Sequence, residues 1–365
     1  MDNQQREGMP TQIEVYRIAS DILAQLPGCT SSCDATIRSF AQAHHHLRQH
    51  LQHRIHTRQQ AAVQPLCAID GTHAVIETSG VTFLLLVAVA VRETVLVDQR
   101  TRVVTLPPLA DAEQLAGDLR TRLELAVLAD QIRTDSTTLH LLDGSLVTVY
   151  LALRRLLRQQ RYDQMRQRQN WWNRVANLLE RSDLAADWST VLQSQQVIAH
   201  AKHSSSNREQ QVARDALLSN DLCSDAVLWS LVLHPDEFST PMRLPTGRVA
   251  LSAPFWGFSD GERQAIGSAY QNWSLLYARL RRQGGAMHLE MPTLSSEQMM
   301  RQLATLSNGL AISEIMEPVP QYLADALCKA QQPVLHALVN GIHNGLRRDW
   351  ENDIVNLWLG NWRTG

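Results

Sequence analysis

The sequence predicts an α/β fold in which a mixed β-sheet is flanked by helices, with helical elaborations at both ends of the chain. Three observations lead there. "LCAIDGTHAVIE", "GVTFLLLVAVAVRE" and "TVLVDQRTRVVTLP" are β-rich runs separated by short polar or Gly-containing turns, the pattern of an antiparallel meander. Leu115, Leu119, Leu123 and Val127 then recur at four-residue spacing and give a helix with one apolar stripe. Beyond that helix, apolar strands and Arg-rich helical stretches alternate.

In chain order, residues 11–60 have a helical pattern broken at "LPGCTSSCD", and the period changes at Pro65, where the meander begins. Pro107 and Pro108 close its third run. The striped helix "LADAEQLAGDLRTRLELAVLADQI" leads to a buried strand in "STTLHLLDGSLV" and then to a long Arg-rich helix, "LALRRLLRQQRYDQMRQRQNWWNRVANLLE". A further strand, "QQVIAHAK", runs into the polar loop "HSSSNREQ", and residues 220–245 and "YQNWSLLYARL" elaborate the sheet. Meander, helix, strand and renewed alternation resemble the order of a ribonuclease-H-like sheet. The expected division is an N-terminal helical extension over 1–64, one α/β domain over 65–345, and a tail over 346–365. That tail, with "DIVNLWLGNWRTG", is expected to pack on the domain or a dimer interface.

Composition narrows the function classes. With 44% hydrophobic and 19% charged residues the chain is globular in type, and its net charge of -2 argues against an overall basic nucleic-acid coat while leaving room for a local basic groove. Its five cysteines contain no CxxC and do not form the pattern of a disulfide framework. The polar start "MDNQQREGMP" lacks an apolar signal segment, and "VTFLLLVAVAV" is shorter than the roughly 20 residues of a membrane helix. A cytoplasmic protein without a membrane partner is expected. Six of the 14 histidines fall at 44, 45, 46, 50, 53 and 56, and His46, His50 and His53 could share a helix face. No acidic or cysteine ligand lies beside them, and Leu47, Leu51 and Ile55 read as the packed side of a polar helix.

The carboxylates carry the functional reading. Asp70 and Asp143 each end an apolar run, each is followed by Gly, and each Gly by a hydroxyl residue. An Asp-Gly pair is commonly a turn. An acid buried in mid-strand is costly without partners, whereas at a strand end it can emerge from the sheet, and Gly permits an unusual φ or a close ligand approach. Glu124, directly after Leu123, sits at the margin of the helix stripe, where it can point toward strand ends. Glu113, Asp118 and Asp130 on the same helix are its competitors as ordinary solvated acids. Asp70, Glu124 and Asp143 together would form an all-oxygen, negative pocket suited to Mg²⁺ or Mn²⁺, one or two ions, and to phosphodiester hydrolysis.

In that order and spacing, "AIDGTHAVIE", "RTRLELAVL" and "LLDGSL" resemble the NurA-type nuclease family. "VIAHAKHSSS", "LLSNDLCSDAVLWSLVLHPDEFSTP" and "AMHLEMP" are similar to further segments of that family, and the resemblance runs from about Cys67 to Cys328. It implies a ribonuclease-H/Piwi-like core, catalytic Mn²⁺ (with Mg²⁺ as the other option) on Asp70, Glu124 and Asp143, and Lys202 as a phosphate contact. It also implies a homodimer and work with a HerA-like hexameric ATPase in DNA-end resection and repair. The family's C-terminal Ala-His pair has no exact counterpart in "EPVPQYLADALCKA", where Leu327 falls at the His position. Asp325 as an oxygen ligand, Tyr322 as a phosphate contact, or His336 or His343 are the substitutes this stretch offers.

The expected activity is a divalent-metal-dependent deoxyribonuclease, a single-stranded endonuclease and/or an exonuclease at DNA ends. The alternative is a catalytically reduced accessory subunit, and a third class is an RNA-processing enzyme of the same broad fold. DNA contacts are expected from the Arg-rich helix, chiefly Arg154, Arg158 and Arg161, with single-stranded or frayed ends as substrate. No GxxxxGK[ST] phosphate loop occurs, so ATP-driven motion would have to come from another chain. Lysine is rare, with Lys202 and Lys329 the only two among 34 basic residues, which makes Lys202 conspicuous.

Overall fold

In this computed structural model the described residues are 47–78, 80–107, 111–165, 181–202, 224–244, 259–282, 284–310 and 317–349. They fall into two compact units, one holding the described residues 47–53 and 224–232, the other the described residues from 54 to 202 and from 233 to 349.

The larger unit is built on one ten-stranded mixed sheet. Its first strands are β1 (Ile55–Thr57), β2 (Leu66–Glu77), β3 (Thr82–Arg92) and β4 (Val95–Leu106). Helix α1 (Ala112–Thr134), strand β5 (Leu139–Asp143), helices α2 (Leu146–Met165) and α3 (Arg181–Gln193), and strand β6 (Val197–His200) follow. Helix α4 (Asp225–Val232) belongs to the smaller unit, where Leu47, Leu51, Leu228 and Trp229 are buried and Arg48 donates to the Val232 carbonyl at 2.7 Å. The sheet is completed by β7 (Glu237–Ser239), β8 (Met242–Arg243), β9 (Trp273–Arg279) and β10 (Met287–Pro292). Helices α5 (Asp260–Gln271), α6 (Ser296–Gly309) and α7 (Val319–Asp349) accompany them.

The strand order is β1-β7-β9-β10-β6-β5-β2-β3-β4, with β8 also on β9. β2, β3 and β4 form the antiparallel meander, while β5 and β6 run parallel to β2. This is the ribonuclease-H-like arrangement that the sequence predicts. β3 is buried on both faces along nearly its whole length, which its unbroken apolar run requires. β4 is the edge and reads as alternating and polar.

One departure concerns α1. A single apolar stripe predicts burial on one side, yet Asp118 and Arg122 are buried along with the stripe. The cause is a second layer, since α2 and α3 pack on the helix face turned away from the sheet. The buried charges are paired there: Arg155 clasps Asp118 and Arg122 meets Asp187 at 2.8 Å. On the opposite face of the sheet, α6 closes a core with Leu66, Ala68, Leu139 and Leu141, and α7 closes another with Leu85, Val87 and Val89 through Ala324 and Cys328. Among the described residues no helix is long and apolar enough to cross a membrane.

Candidate active site

The site arises where a long strand outruns its neighbour. β2 pairs with β3 from Cys67 to Glu77, but its parallel pairing with β5 covers only Leu66–Ile69, ending at Ile69 opposite Leu142. The next residues of the two strands are Asp70 and Asp143, at the point where this ladder stops. β5 in turn places Asp143 opposite His200 of β6, with Lys202 two residues on. Three adjacent parallel strands thus deliver two aspartates, a histidine and a lysine to one level. Parallel strand ends are where an α/β sheet exposes a crevice.

The two Asp-Gly pairs are not the same feature. Both aspartates are expected at strand ends, and for Asp70 that reading needs correction, because β2 continues without a turn through Gly71 to Glu77. Asp70 is mid-strand, and only its β5 neighbour has ended. Gly71 has an ordinary extended backbone and is needed for space: a Cβ there would lie 2.5 Å from Glu124 Oε1 and 2.9 Å from the Val87 carbonyl oxygen. Asp143-Gly144 does make a turn, with Gly144 at φ +119°.

Side chains alternate along a strand. Asp70 shares its face with Thr72, which accepts from Gln332 of α7, and with Ala74, which packs in the α7 core. Gly71 and His73 face α1, where they meet Glu124 and Glu113. Asp70 and Glu124 therefore approach from opposite faces of β2, and the missing side chain at Gly71 lets Glu124 settle onto the strand. Glu124 is 4% exposed. Its competitors all have other partners: Glu113 pairs with His73, Asp118 with Arg155, and Asp130 with Arg100 and Arg133.

Each of the three acids carries its own positive or donor partner. Asp70 accepts from the Gly71 N–H at 2.7 Å, Glu124 lies 3.2 Å from Arg120 Nε, and Asp143 lies 2.6 Å from Lys202 Nζ. Burial first, then the charges of Glu124 and Asp143, push the Asp70 carboxyl up to about 7. Burial also lifts Glu124 above the usual carboxylate range, opposed by Arg120 and reinforced by Asp143. For Lys202 burial works against the charge, but hydrogen bonds to Asp143 and Glu317 outweigh it and hold the ammonium above its ordinary range.

Among the described residues no group of three His, Cys, Asp or Glu stands close enough together to hold a metal ion as placed. The donor chemistry nevertheless fits a hard divalent cation. Asp70, Glu124 and Asp143 are carboxylates, Glu124 is seated against Gly71, and the mutual repulsion felt at Asp70 is the kind a cation relieves.

The remaining predicted residues are placed less centrally. Asp325 lies on α7 with its carboxylate on Lys329, 2.7 Å away and one helical turn along. Tyr322, in the first turns of α7, is exposed. Arg154 projects from α2 into solvent, and its neighbour Arg155 is engaged with Asp118. Arg158 and Arg161 lie on α2, and His336 and His343 on α7; the side chains of all four, like residue His46 of the N-terminal cluster, lie outside the described set.

Three residues at the site were not singled out in the sequence. His200, buried, offers Nδ1 to Gln321 Oε1 at 3.0 Å and so ties β6 to α7. Glu317, just before α7, shares Lys202 with Asp143 at 3.0 Å. Glu290 of β10, 2% exposed, accepts from Ser145 Oγ at 2.6 Å and from the Leu146 N–H at 2.7 Å, clamping the turn after Asp143 onto the start of α2. The signal for Glu290 was an acid inside the apolar run "MHLEMP". The other two had only their distance along the chain from the aspartates, which conceals proximity.

This fold and site define a ribonuclease-H-like α/β protein with an acidic centre at its parallel strand ends. Residues 65–326 match the NurA domain, and the chain belongs to that family. No curated protein matches it. Among solved structures it is similar to the NurA nuclease from Sulfolobus solfataricus (15% identity, 91% of this chain and 98% of that one, TM-score 0.62). It is also similar to a second NurA structure (13% identity, 95% of this chain and 100% of that one, TM-score 0.56). A third, NurA with manganese, aligns at 13% identity over 90% of this chain and 98% of that one, with a TM-score of 0.51.

Proposed function

We propose that this protein is a divalent-metal-dependent DNA nuclease whose centre is Asp70, Glu124 and Asp143. The observation that supports this reading is that Asp70 and Asp143 are the next residues of β2 and β5 where their ladder stops, with Glu124 seated on the bare backbone of Gly71 beside Asp70. Solved relatives with manganese, and with dAMP and manganese, support Mn²⁺ as the cation, with Mg²⁺ as the alternative. Bound there, one or two such ions would supply positive charge to the scissile phosphate and acidify the attacking water. The chain's own contribution is positional. Asp143 is fixed by β6 pairing on one side and by the Glu290-clamped turn behind it. Glu124 is fixed by Gly71 and Arg120, and Lys202 brings a compact cation to the same strand end for the phosphate.

The substrate in this reading is single-stranded or frayed DNA, with Arg154, Arg158, Arg161 and Tyr322 as outlying contacts. The working form is a cytoplasmic homodimer acting with a HerA-like ATPase in DNA-end processing. The test is cleavage of labelled single-stranded, blunt and overhanging DNA with Mn²⁺, with Mg²⁺ and with chelator, with and without that ATPase. Metal-dependent cleavage lost in Asp70→Asn and Asp143→Asn is the expected result. Cleavage that persists in chelator, or in both variants, would refute the assignment.

A second reading, a catalytically reduced accessory subunit, is favoured by Leu327 at the family's His position and by the engagement of Asp325 with Lys329. Mn²⁺ calorimetry on the protein alone separates the two. A nuclease binds Mn²⁺ and loses that binding with Asp143→Asn, whereas an accessory subunit binds none.

A further inference from the structure

Lys202 is one of only two lysines in the chain, and its ammonium is already occupied. Nζ lies 2.6 Å from Asp143 Oδ2 and 3.0 Å from Glu317 Oε2. The three side chains are 25%, 15% and 28% exposed, so the pairing is partly shielded from water and less screened by salt than a surface bridge. Two carboxylates share one cation, which leaves the trio with a surplus negative charge. An ammonium is suited to sharing of this kind, because it is a compact point charge on a flexible stem, whereas a guanidinium holds a carboxylate in a fixed fork. The choice of Lys in an otherwise Arg-served chain fits a cation that has to shift between partners.

Glu317 is not loosely placed. It stands immediately before Pro318 and α7, whose first turn is closed by the Tyr322 N–H on the Pro318 carbonyl. α7 is pinned to the sheet by Gln321 on His200 and by Gln332 on Thr72. Lys202 leaves the sheet two residues after His200, so the elements carrying Lys202 and Glu317 are locked to each other by that same histidine contact.

We infer that Glu317 is a positioning residue that acts through Lys202: the lysine serves as a built-in counter-ion on Asp143, and Glu317 retains it when a divalent cation takes Asp143. This rests on the reading that Asp143 faces such a cation. Two consequences follow. Lys202 competes with the cation for Asp143, so deleting its charge tightens cation binding. Glu317 draws the lysine away, so neutralising Glu317 leaves Lys202 on Asp143 and weakens cation binding, but only while Lys202 is present.

The experiment is Mn²⁺ titration calorimetry without DNA on wild type, Lys202→Met, Glu317→Gln, the double variant and Asp143→Asn, each first checked for folding by circular dichroism. Lys202→Gln is the reserve should the Met variant misfold. Lys202→Met should bind Mn²⁺ roughly tenfold more tightly, the scale of one charge-assisted hydrogen bond. Glu317→Gln should bind about fivefold more weakly, and in the Lys202→Met background the same change should shift affinity less than about twofold, the signature of action through a shared partner. An equal or larger effect of Glu317→Gln without the lysine would overturn the inference, making Glu317 a direct contributor to the cation. Unchanged affinity in Lys202→Met, with binding still lost in Asp143→Asn, would overturn it while leaving the proposed site standing. No Mn²⁺ binding by wild type and Lys202→Met alike would overturn both.

Discussion

Asp70-Gly71 and Asp143-Gly144 are the same dipeptide at the ends of similar apolar runs, and the fold uses them in opposite ways. At Gly71 the backbone is an ordinary extended strand, and what matters is the absent side chain, whose place Glu124 takes. At Gly144 a Cβ would meet nothing within 4 Å, and what matters is the backbone, bent to φ +119°. Their aspartates differ correspondingly. Asp70 faces two other acids and burial, and its carboxyl is pushed up to about 7, while Asp143 is held by Lys202. Glycine's two properties, lack of bulk and lack of a φ restriction, are thus separated within one site. A dipeptide motif alone does not say which one is in use.

The contrast breaks most visibly at Gly71. Gly71→Ala drives a methyl group against Glu124 and against the carbonyl of Val87 in the neighbouring strand, and backbone in a paired sheet yields little. We expect a loss of roughly 3 kcal/mol in urea unfolding, together with loss of Mn²⁺ binding, because Glu124 is pushed off its seat on the strand. Wild-type stability in Gly71→Ala would mean that Glu124 does not sit on this backbone.

Next in size is Asp70. Its folded carboxyl is raised from 3.8 to about 7, so between those values the folded state holds a proton that the unfolded chain has released. The contribution is therefore fully present below pH 3.8 and is lost as pH rises through about 7. Asp70→Asn should remove this slope and, in chelator at pH 8, stabilise the protein by about 1–3 kcal/mol. Mn²⁺ should stabilise the wild type above pH 7 and the variant hardly at all. Thermal melts across pH 5 to 8.5 with and without Mn²⁺ check both; a wild-type curve that rises with pH while the Asn variant's is flat would contradict the sign.

A smaller effect is expected at Glu290, which holds the turn after Asp143. Glu290→Ala releases Ser145 Oγ and the Leu146 N–H, at a cost of about 1–2 kcal/mol for two lost charge-assisted bonds at a helix start. Mn²⁺ affinity should fall with it, while the high carboxyl of Asp70 should persist, measurable as an unchanged pH slope.

The sequence made these differences legible to unequal degrees. The meander strands and α1 could be read because each has a period or an unbroken apolar run; Asp70 and Asp143 stand out because each closes such a run, and Glu124 because it borders the helix stripe. The burial of Asp118 and Arg122 could not be read, since it depends on α2 and α3 arriving as a second layer, and neither helix leaves a mark on the residues of α1. A strand end is expected for Asp70 because an acid buried in mid-strand is costly, and pairing with β3 from Cys67 to Glu77 instead carries the strand past it. Glu317, Glu290 and His200 join the site through strand order and helix docking. Ordinary acids and histidines in chain order give no sign of which strands become neighbours.

The smallest effect, at Gly144, sharpens the comparison furthest. Gly144→Ala meets no steric obstacle, so its whole cost is that of placing an L-residue at φ +119°. A surface turn can relax part of that strain by rotating neighbouring torsions. Here the relaxation is limited, because the Gly144 N–H is bonded to the His200 carbonyl at 2.9 Å and the next two residues are held by Glu290. A loss of about 1 kcal/mol is expected, roughly a third of that at Gly71. Asp143 keeps its β6 pairing and its Lys202 partner, so Mn²⁺ affinity should change less than about threefold. Urea unfolding and Mn²⁺ calorimetry on the two alanine variants side by side decide the matter. If Gly144→Ala abolishes cation binding as Gly71→Ala is expected to, the two glycines are not separable in function, and the turn after Asp143 positions the carboxylate more tightly than its strand does.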